Sequence, residues 1–394
     1  MVKIVVVGGG YVGATFAQTM APLCKGMDGV EFIILEKQKF IFHAVAATRA
    51  LVNPSYVSKL FIPLHCAFDK MDNVTVIQAC VESVSETSVM YRTVLDDGSL
   101  SDASLPEECT FDYLILATGS SYPSPIKPVV NRFNQKDVED AFTTAYTHIK
   151  AAERVLIIGG GAVGVEVAGE IKAQYPEKSV QLIDGNAALL QRQNLTDKFR
   201  KKLLKEMQKV GIEVLLEERL EERLDVSCYE KKTLTTVSGT TLTADVQLLC
   251  AGARPCNEYL KSLGPDLLDQ NERIQVKPTF QLKDEKYQHI FALGDASNHA
   301  TPKMAYWGCL QGVHLAKNLY KHLKNRKANL VLPPFQKITT EAIMVPLGPK
   351  NGVSQLPLFG GIVMGSRTTV AIKSKDLFVS QFFGQFGAPV PKEE

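Results

Sequence analysis

The chain twice runs an apolar strand into glycines spaced Gly-x-Gly-x-x-Gly and then into a helix: "VKIVVVGGGYVGATFAQ" at 2–18 and "RVLIIGGGAVGVEVAGE" at 154–170. No other feature restricts the fold so strongly. Each strand is β-branched and apolar on both faces, which suits the interior of a parallel sheet. In each cradle the first glycine (Gly8, Gly159) permits the tight strand-to-helix turn. The second (Gly10, Gly161) lets the backbone approach a pyrophosphate, and the third (Gly13, Gly164) lets helix and strand pack closely. The phosphates then meet a helix N-terminus, where unpaired N–H groups and the dipole favour negative charge. Ala17 and Ala168, four residues past the last glycines, keep both packing faces small.

Each unit closes on an acid. "VEFIILE" (30–36) ends on Glu36, 23 residues beyond Gly13, and "SVQLID" (179–184) ends on Asp184, 20 beyond Gly164. Both carboxylates are placed to take the ribose hydroxyls of an adenosine. A carboxylate at Asp184 repels a 2′-phosphate, so NADH is favoured, with NADPH possible if a nearby Arg or Lys compensates. Glu166 and Glu170 share one helix face. Glu166 lies near where a nicotinamide would extend, and serves either there or simply as a partner of the helix dipole. Glu170 is assigned to the dipole.

The segment 37–72 reads as mostly helical and loop-like, and "DDG" (96–98) as a hairpin turn. "FDYLILATGSS" (111–121) is a buried strand that leads into the proline-rich crossing "YPSPIKP" (122–128). "QLLCAGARP" (247–255) brings the chain back. "HIFALGDAS" (289–297) is a strand ending at Gly294-Asp295, followed by a helix from near Pro302 to about Leu323. A strand-rich segment follows "VLPPF" (331–335) to the end. The fold class is therefore α/β: two Rossmann-like dinucleotide-binding domains, the second inserted in the first, plus a small C-terminal α+β domain. The expected spans are 1–122 with 251–330, then 123–250, then 331–394.

With 44 basic and 42 acidic residues among 394, the net charge is +2. Such a balance exerts no general pull on nucleic acid or an anionic membrane. The basic face of 197–211 reads as solvated, and "KNLYKHLKNRKANL" (317–330) alone keeps a DNA-binding alternative open. No apolar run approaches the ~18 residues of a spanning helix. Val2 stands where N-myristoylation needs glycine. The cytosol is the simplest compartment. The eight cysteines include no Cys-x-x-Cys pair, so no metal site or dithiol is expected.

The two cradles, with "ATG" (117–119) between them and "GD" (294–295) after them, resemble the pyridine nucleotide-disulfide superfamily of two-dinucleotide flavoproteins. The resemblance implies FAD at the first cradle and NAD(P)H in the inserted domain. It implies Asp295 at the FAD ribityl or pyrophosphate region and Thr118 and Gly119 in the FAD pocket. It also aims the helix beginning at Lys303 at the flavin N1–C2=O edge. Members that reduce disulfides carry a Cys pair just after the ribose-binding acid. Here "KQKFIFHAVAATRALV" (37–52) has none, so electrons leave the flavin for an external acceptor.

More specifically, "FHAVAATRA" (42–50), "EIKAQYPEKSVQLID" (170–184), "TPKMAY" (301–306), "NGVSQ" (351–355) and "KSKDLFVS" (373–380) resemble the ferroptosis-suppressor branch of the apoptosis-inducing-factor-like flavoproteins. Those are NAD(P)H:quinone oxidoreductases. The resemblance implies that Lys373 and Phe378 approach the flavin and the quinone entrance, with Lys373 stabilising reduced flavin or protonating the quinol. It places His43 and Arg49 near the flavin. Phe382, Phe383 and Phe386 would extend an apolar entrance, touch a membrane, or serve as core. The implied partner is a small quinone, with no nucleic acid and with peripheral contact to a membrane or lipid droplet; monomer and homodimer both stay open. The alternatives are a signalling or DNA-binding flavoprotein with incidental NADH oxidase activity, a type II NADH dehydrogenase, and a ferredoxin or monodehydroascorbate reductase.

Overall fold

In the computed structural model, residues 1–392 are described except 28, 103–104, 124, 129–130, 192 and 326–329. Strand β1 (Val2–Val7) runs to Gly8, and helix α1 (Tyr11–Leu23) returns to β2 (Val30–Glu36), which pairs parallel with β1. Ile4, Val5 and Val6 have no exposed surface. Full burial of each contributes about 1.5–3 kcal/mol, which is why an unbroken β-branched run settles at the sheet centre.

Beyond β2 lie β3 (Val74–Val84), β4 (Ser88–Thr93) and β5 (Glu107–Thr110); on the other side of β1 lies β6 (Tyr113–Leu116). The segment 37–72 is helical turns and loop apart from one short strand pair. Phe40–Phe42 pairs antiparallel with Phe61–Pro63, enclosing α2 (Ala47–Ala50) and two 3-10 turns, Pro54–Tyr56 and Ser58–Leu60. The Phe40 and Phe61 rings meet edge to face with centroids 4.8 Å apart, which favours the strand pairing.

The chain then leaves this sheet. Helix α3 (Gln135–Ala151) leads into β7 (Arg154–Ile158), α4 (Ala162–Gln174), β8 (Ser179–Asp184), α5 (Asp197–Lys209), β9 (Ile212–Leu216) and β10 (Val246–Leu249). These strands form a second, parallel sheet in the order β9–β8–β7–β10. The outward and return crossings touch: Ser120–Ser121 pairs antiparallel with Arg254–Pro255. Strand β11 (Ile290–Ala292) then joins β6, completing the first sheet as β11–β6–β1–β2–β3–β4–β5. One sheet is thus interrupted by the other, as an inserted domain requires.

Helix α6 (Ala305–Asn325) begins later than Pro302, because Pro302 and Met304 form a turn first. Part of the basic run 317–330 lies outside the described residues. The last segment is not strand-rich to its end. After β12 (Ile343–Pro346), β13 (Gly352–Leu356) and β14 (Ile362–Met364) come α7 (Ser366–Thr369), a π-turn at Val370–Ser374 and α8 (Val379–Gln385). Tertiary bonds override the β-branched run "TTVAI". The buried Thr369 hydroxyl meets Ser354 Oγ at 2.6 Å and the Gly365 carbonyl at 3.1 Å.

Candidate functional site

At the first cradle Gly8 has φ +101°, and a Cβ there would lie 2.5 Å from the Ala117 carbonyl oxygen. A Cβ on Gly13 would lie 1.9 Å from the Gly8 oxygen. These two glycines are demanded by the protein's own backbone. Gly10 is different: its Cβ would meet nothing within 4 Å. Packing does not require glycine there, whereas close approach of a diphosphate does. Glu36 accepts from the Gly9 N–H (2.6 Å) and the Gln38 N–H (3.0 Å); burial raises its pKa, and the Lys37 charge and these bonds oppose the rise. Beside it opens a cleft of about 430 Å³, lined by Gly8, Glu36, Thr118, Arg254 and Tyr259. Its donor set fits the adenosine end of a dinucleotide.

The second cradle repeats this geometry. Gly159 has φ +120°, and a Cβ there would lie 2.7 Å from the Cys250 carbonyl oxygen; a Cβ on Gly164 would lie 2.0 Å from the Gly159 oxygen, and one on Gly161 would meet nothing within 4 Å. Asp184 accepts from the Gly160 N–H at 2.5 Å and from the backbone and side-chain N–H of Asn186 at 2.7 and 2.6 Å.

Residues far apart in sequence converge on the first cradle. Asp295 accepts from Ser120 Oγ at 2.7 Å and lies 3.6 Å from Lys127 Nζ. Gly119 has φ +70°, and Thr118 Oγ1 is held by Asn257 and Tyr259. Ser120 and Lys127 lie in stretches that the sequence reads only as a strand end and a crossing, and Asn257 and Tyr259 lie in no motif; proximity alone brings the four to the site. Lys303 does not present its ammonium outward from the helix start. It lies two residues before α6 and donates to the carbonyls of Gly294, Ser297 and His299. Desolvation pulls it down to about 8, against the attraction of Asp295. These three bonds gather the loop that carries Asp295.

A second convergence joins the two cradles to the C-terminal segment. Lys373, in the π-turn, donates to Glu166 Oε1 (2.8 Å) and to the Met344 carbonyl (3.1 Å). Both side chains are nearly buried, at 13% and 9% exposure. Burial raises the Glu166 pKa, and Lys373 opposes the rise. Single π-turns recur at functional sites. Glu170, four residues on, is no exposed dipole partner. It is buried and paired with Arg49 at 2.8 Å.

That pair corrects the placement of Arg49 as a cofactor ligand. Its guanidinium is committed to Glu170, Tyr56 and the carbonyls of Ser374 and Lys375, leaving it 4% exposed. His43, fully buried, donates from Nε2 to the Leu377 carbonyl (3.0 Å), so its Nδ1 accepts from Tyr11 OH (2.6 Å). Leu377 and Phe378 both have positive φ, +54° and +62°. Two successive bulky residues in this region are strained and persist only where neighbours fix them. Here Arg49, His43 and the Asp376 carboxylate on the Phe378 N–H do so. Phe378 is left half-buried at the turn. Phe382, Phe383 and Phe386 are core: the Phe382 ring packs 4.6 Å from Tyr11 and 5.3 Å from His43.

Among the described residues, His65, Cys66 and Asp69 form the one cluster of metal-ligand type, and it lies at the surface. Spacing rules for cysteine pairs could not have found it. Also among these residues, no helix is long and apolar enough to cross a membrane.

The sequence pattern described as pyridine nucleotide-disulphide oxidoreductase matches residues 2–316. The chain is 28% identical over 407 residues to apoptosis-inducing factor homolog B of Dictyostelium discoideum, covering 99% of this chain and 98% of that one. It is 30% identical over 400 residues to ferroptosis suppressor protein 1 of Taeniopygia guttata, covering 99% and 97%. Among solved structures, the sulfide:quinone oxidoreductase of Aquifex aeolicus superposes with TM-score 0.73 at 14% identity, over 100% of this chain and 93% of that one. NDH2 of Plasmodium falciparum, in complex with NADH, superposes with TM-score 0.70 at 14% identity, over 99% of each. The chain belongs to the pyridine nucleotide-disulphide oxidoreductase family. Membership implies FAD and NAD(P)H binding and oxidoreductase activity.

Proposed function

We propose that this FAD-dependent NAD(P)H oxidoreductase delivers its electrons to a quinone of the ubiquinone type. The observation that carries the reading is the buried Lys373–Glu166 pair. It ties the helix of the second cradle to the strained turn that holds Phe378. When bound, FAD supplies the exchange of a hydride for electrons; the chain supplies position, charge and protons.

The first cradle and Glu36 would hold FAD, with Asp295, Ser120 and Lys127 along its length and Thr118 and Gly119 beside it. The second cradle and Asp184 would hold the reductant, with its nicotinamide end running towards Glu166. Lys373 Nζ would donate to the quinone oxygen as it is reduced to the quinol, while Glu166 holds the side chain in place. Phe378 would form the apolar lip at which the quinone docks. The relatives named for ferroptosis suppression, the quinone in the name of the Aquifex enzyme, and the missing cysteines in 37–52 all favour this acceptor over a disulfide.

Anaerobic stopped-flow mixing tests the reading. NADH should bleach the flavin absorbance, and a short-chain ubiquinone should restore it rapidly. Bleached flavin that oxygen reoxidises but ubiquinone does not would remove the quinone from the account.

A further inference from the structure

The loop after β9 closes over the acid of the second cradle. The Glu218 N–H donates to the Asp184 carbonyl (3.1 Å) and the Glu217 N–H to the Asn186 carbonyl (3.0 Å), with Glu217 at φ +60°. This stitching lays Arg219 across Gly185. A Cβ on Gly185 would lie 2.1 Å from Arg219 Nε, 2.6 Å from Cγ and 2.8 Å from Cδ. Only glycine at 185 admits the arginine in that position.

Arg219 is exposed, and among the described residues no carboxylate is paired with it. Of its acidic neighbours, Glu217 is solvated, while Glu218 Oε1 accepts from Ser238 Oγ at 2.6 Å. Asp184, by contrast, is largely spoken for. Its Oδ1 takes two N–H groups and its Oδ2 one. A carboxylate offers about four acceptor positions, so one is left where a ribose presents two hydroxyls. The acid that would select an unphosphorylated ribose is thus mostly used by the protein, and an unpaired guanidinium stands one residue away.

We infer that Arg219, seated on Gly185, forms a 2′-phosphate subsite at the second cradle and is the residue that sets the balance between NADPH and NADH. The inference rests on reading that cradle as the reductant site. A guanidinium fork meets a phosphomonoester with two charge-assisted hydrogen bonds, which a lysine cannot copy. It offsets the repulsion from Asp184 that the sequence alone suggests.

The test uses the full-length flavin-loaded protein and calorimetric titration with adenosine 2′,5′-bisphosphate and with 5′-AMP. The wild type should bind the bisphosphate at least as tightly as AMP. Arg219→Ala should weaken the bisphosphate by about ten-fold or more, the scale of a charge-assisted bond, and AMP far less. Gly185→Ala, which keeps the charge but displaces it, should act in the same direction, and flavin reduction by NADPH should slow more than that by NADH. Weaker binding of the bisphosphate than of AMP by the wild type, or equal losses for both probes in Arg219→Ala, would overturn the inference. If NADH reduces the flavin and the bisphosphate does not bind, only this subsite falls. If NADH fails to reduce the flavin, the reading of the cradle itself falls.

Discussion

The two cradles share a backbone and differ one helical turn later. The Gly8 and Gly159 N–H groups both donate at 2.9 Å to the strand carrying the acid, at Leu35 and Ile183. The strand on the other side answers identically: the Ala117 N–H bonds to Val7 and the Cys250 N–H to Ile158, both at 2.8 Å. Past the third glycine the likeness ends. Helix α1 carries no charged residue, and its Gln18 and Thr15 bond to Gln385 near the end of the chain. Helix α4 carries Glu166 and Glu170, both buried and both ion-paired to residues of other segments. Backbone geometry therefore decides that a phosphate can bind. The helix face behind it is what differs: uncharged at the first cradle, buried and ion-paired at the second.

The sharpest way to break that comparison is to remove the charges that distinguish α4. Arg49→Met leaves Glu170 buried and unpaired, a loss of roughly 3–5 kcal/mol. The melting temperature should fall markedly, and the double variant Arg49→Met, Glu170→Met should recover most of it. Equal melting temperatures for single and double variants would show that the pair does no coupling.

His43 gives a pH-dependent effect of slightly smaller size. Burial holds it down to about 4 in the folded chain, against roughly 6.5 unfolded. The folded state therefore resists protonation. Its contribution is intact above pH 6.5 and is lost as pH falls towards 4, by about 3 kcal/mol in all. His43→Gln keeps a donor for Leu377 without titrating, so its melting temperature should fall less steeply than that of wild type across this window. Parallel profiles would contradict the assignment.

Lys373→Met should lower quinone turnover by about a hundred-fold, the ordinary scale of one positioned proton donor, with the ratio of flavin to protein unchanged. Unchanged turnover would leave Lys373 a structural partner of Glu166 only.

How much of this was legible follows from range. The cradles could be read because glycine sterics are local, and Glu36 and Asp184 because an acid at the end of the second strand is part of the same unit. Arg49 could not be read correctly. Its partner Glu170 lies 121 residues away on another sheet's helix, and nothing near Arg49 announces it. The last segment misled because "TTVAI" has β propensity, while the Thr369–Ser354 bond that holds it helical comes from β13. The phenylalanines after Phe378 were ambiguous for a related reason: an aromatic stripe looks alike whether it lines an entrance or, as here, packs on Tyr11 and His43.

The central claim is that one backbone solution serves two jobs, a resident flavin at the first cradle and an exchanging nicotinamide at the second. Gly10 and Gly161 are matched probes, since a Cβ at either meets nothing within 4 Å beyond its own chain neighbours. The decisive measurement is the flavin-to-protein ratio of purified Gly10→Val and Gly161→Val, followed by anaerobic reduction with NADH. The account predicts that Gly10→Val folds but loses its flavin, while Gly161→Val keeps a full complement of flavin that NADH reduces at least about a hundred-fold more slowly, the scale of losing the phosphate contacts. Flavin lost from Gly161→Val and retained by Gly10→Val, or equal loss from both, would contradict it.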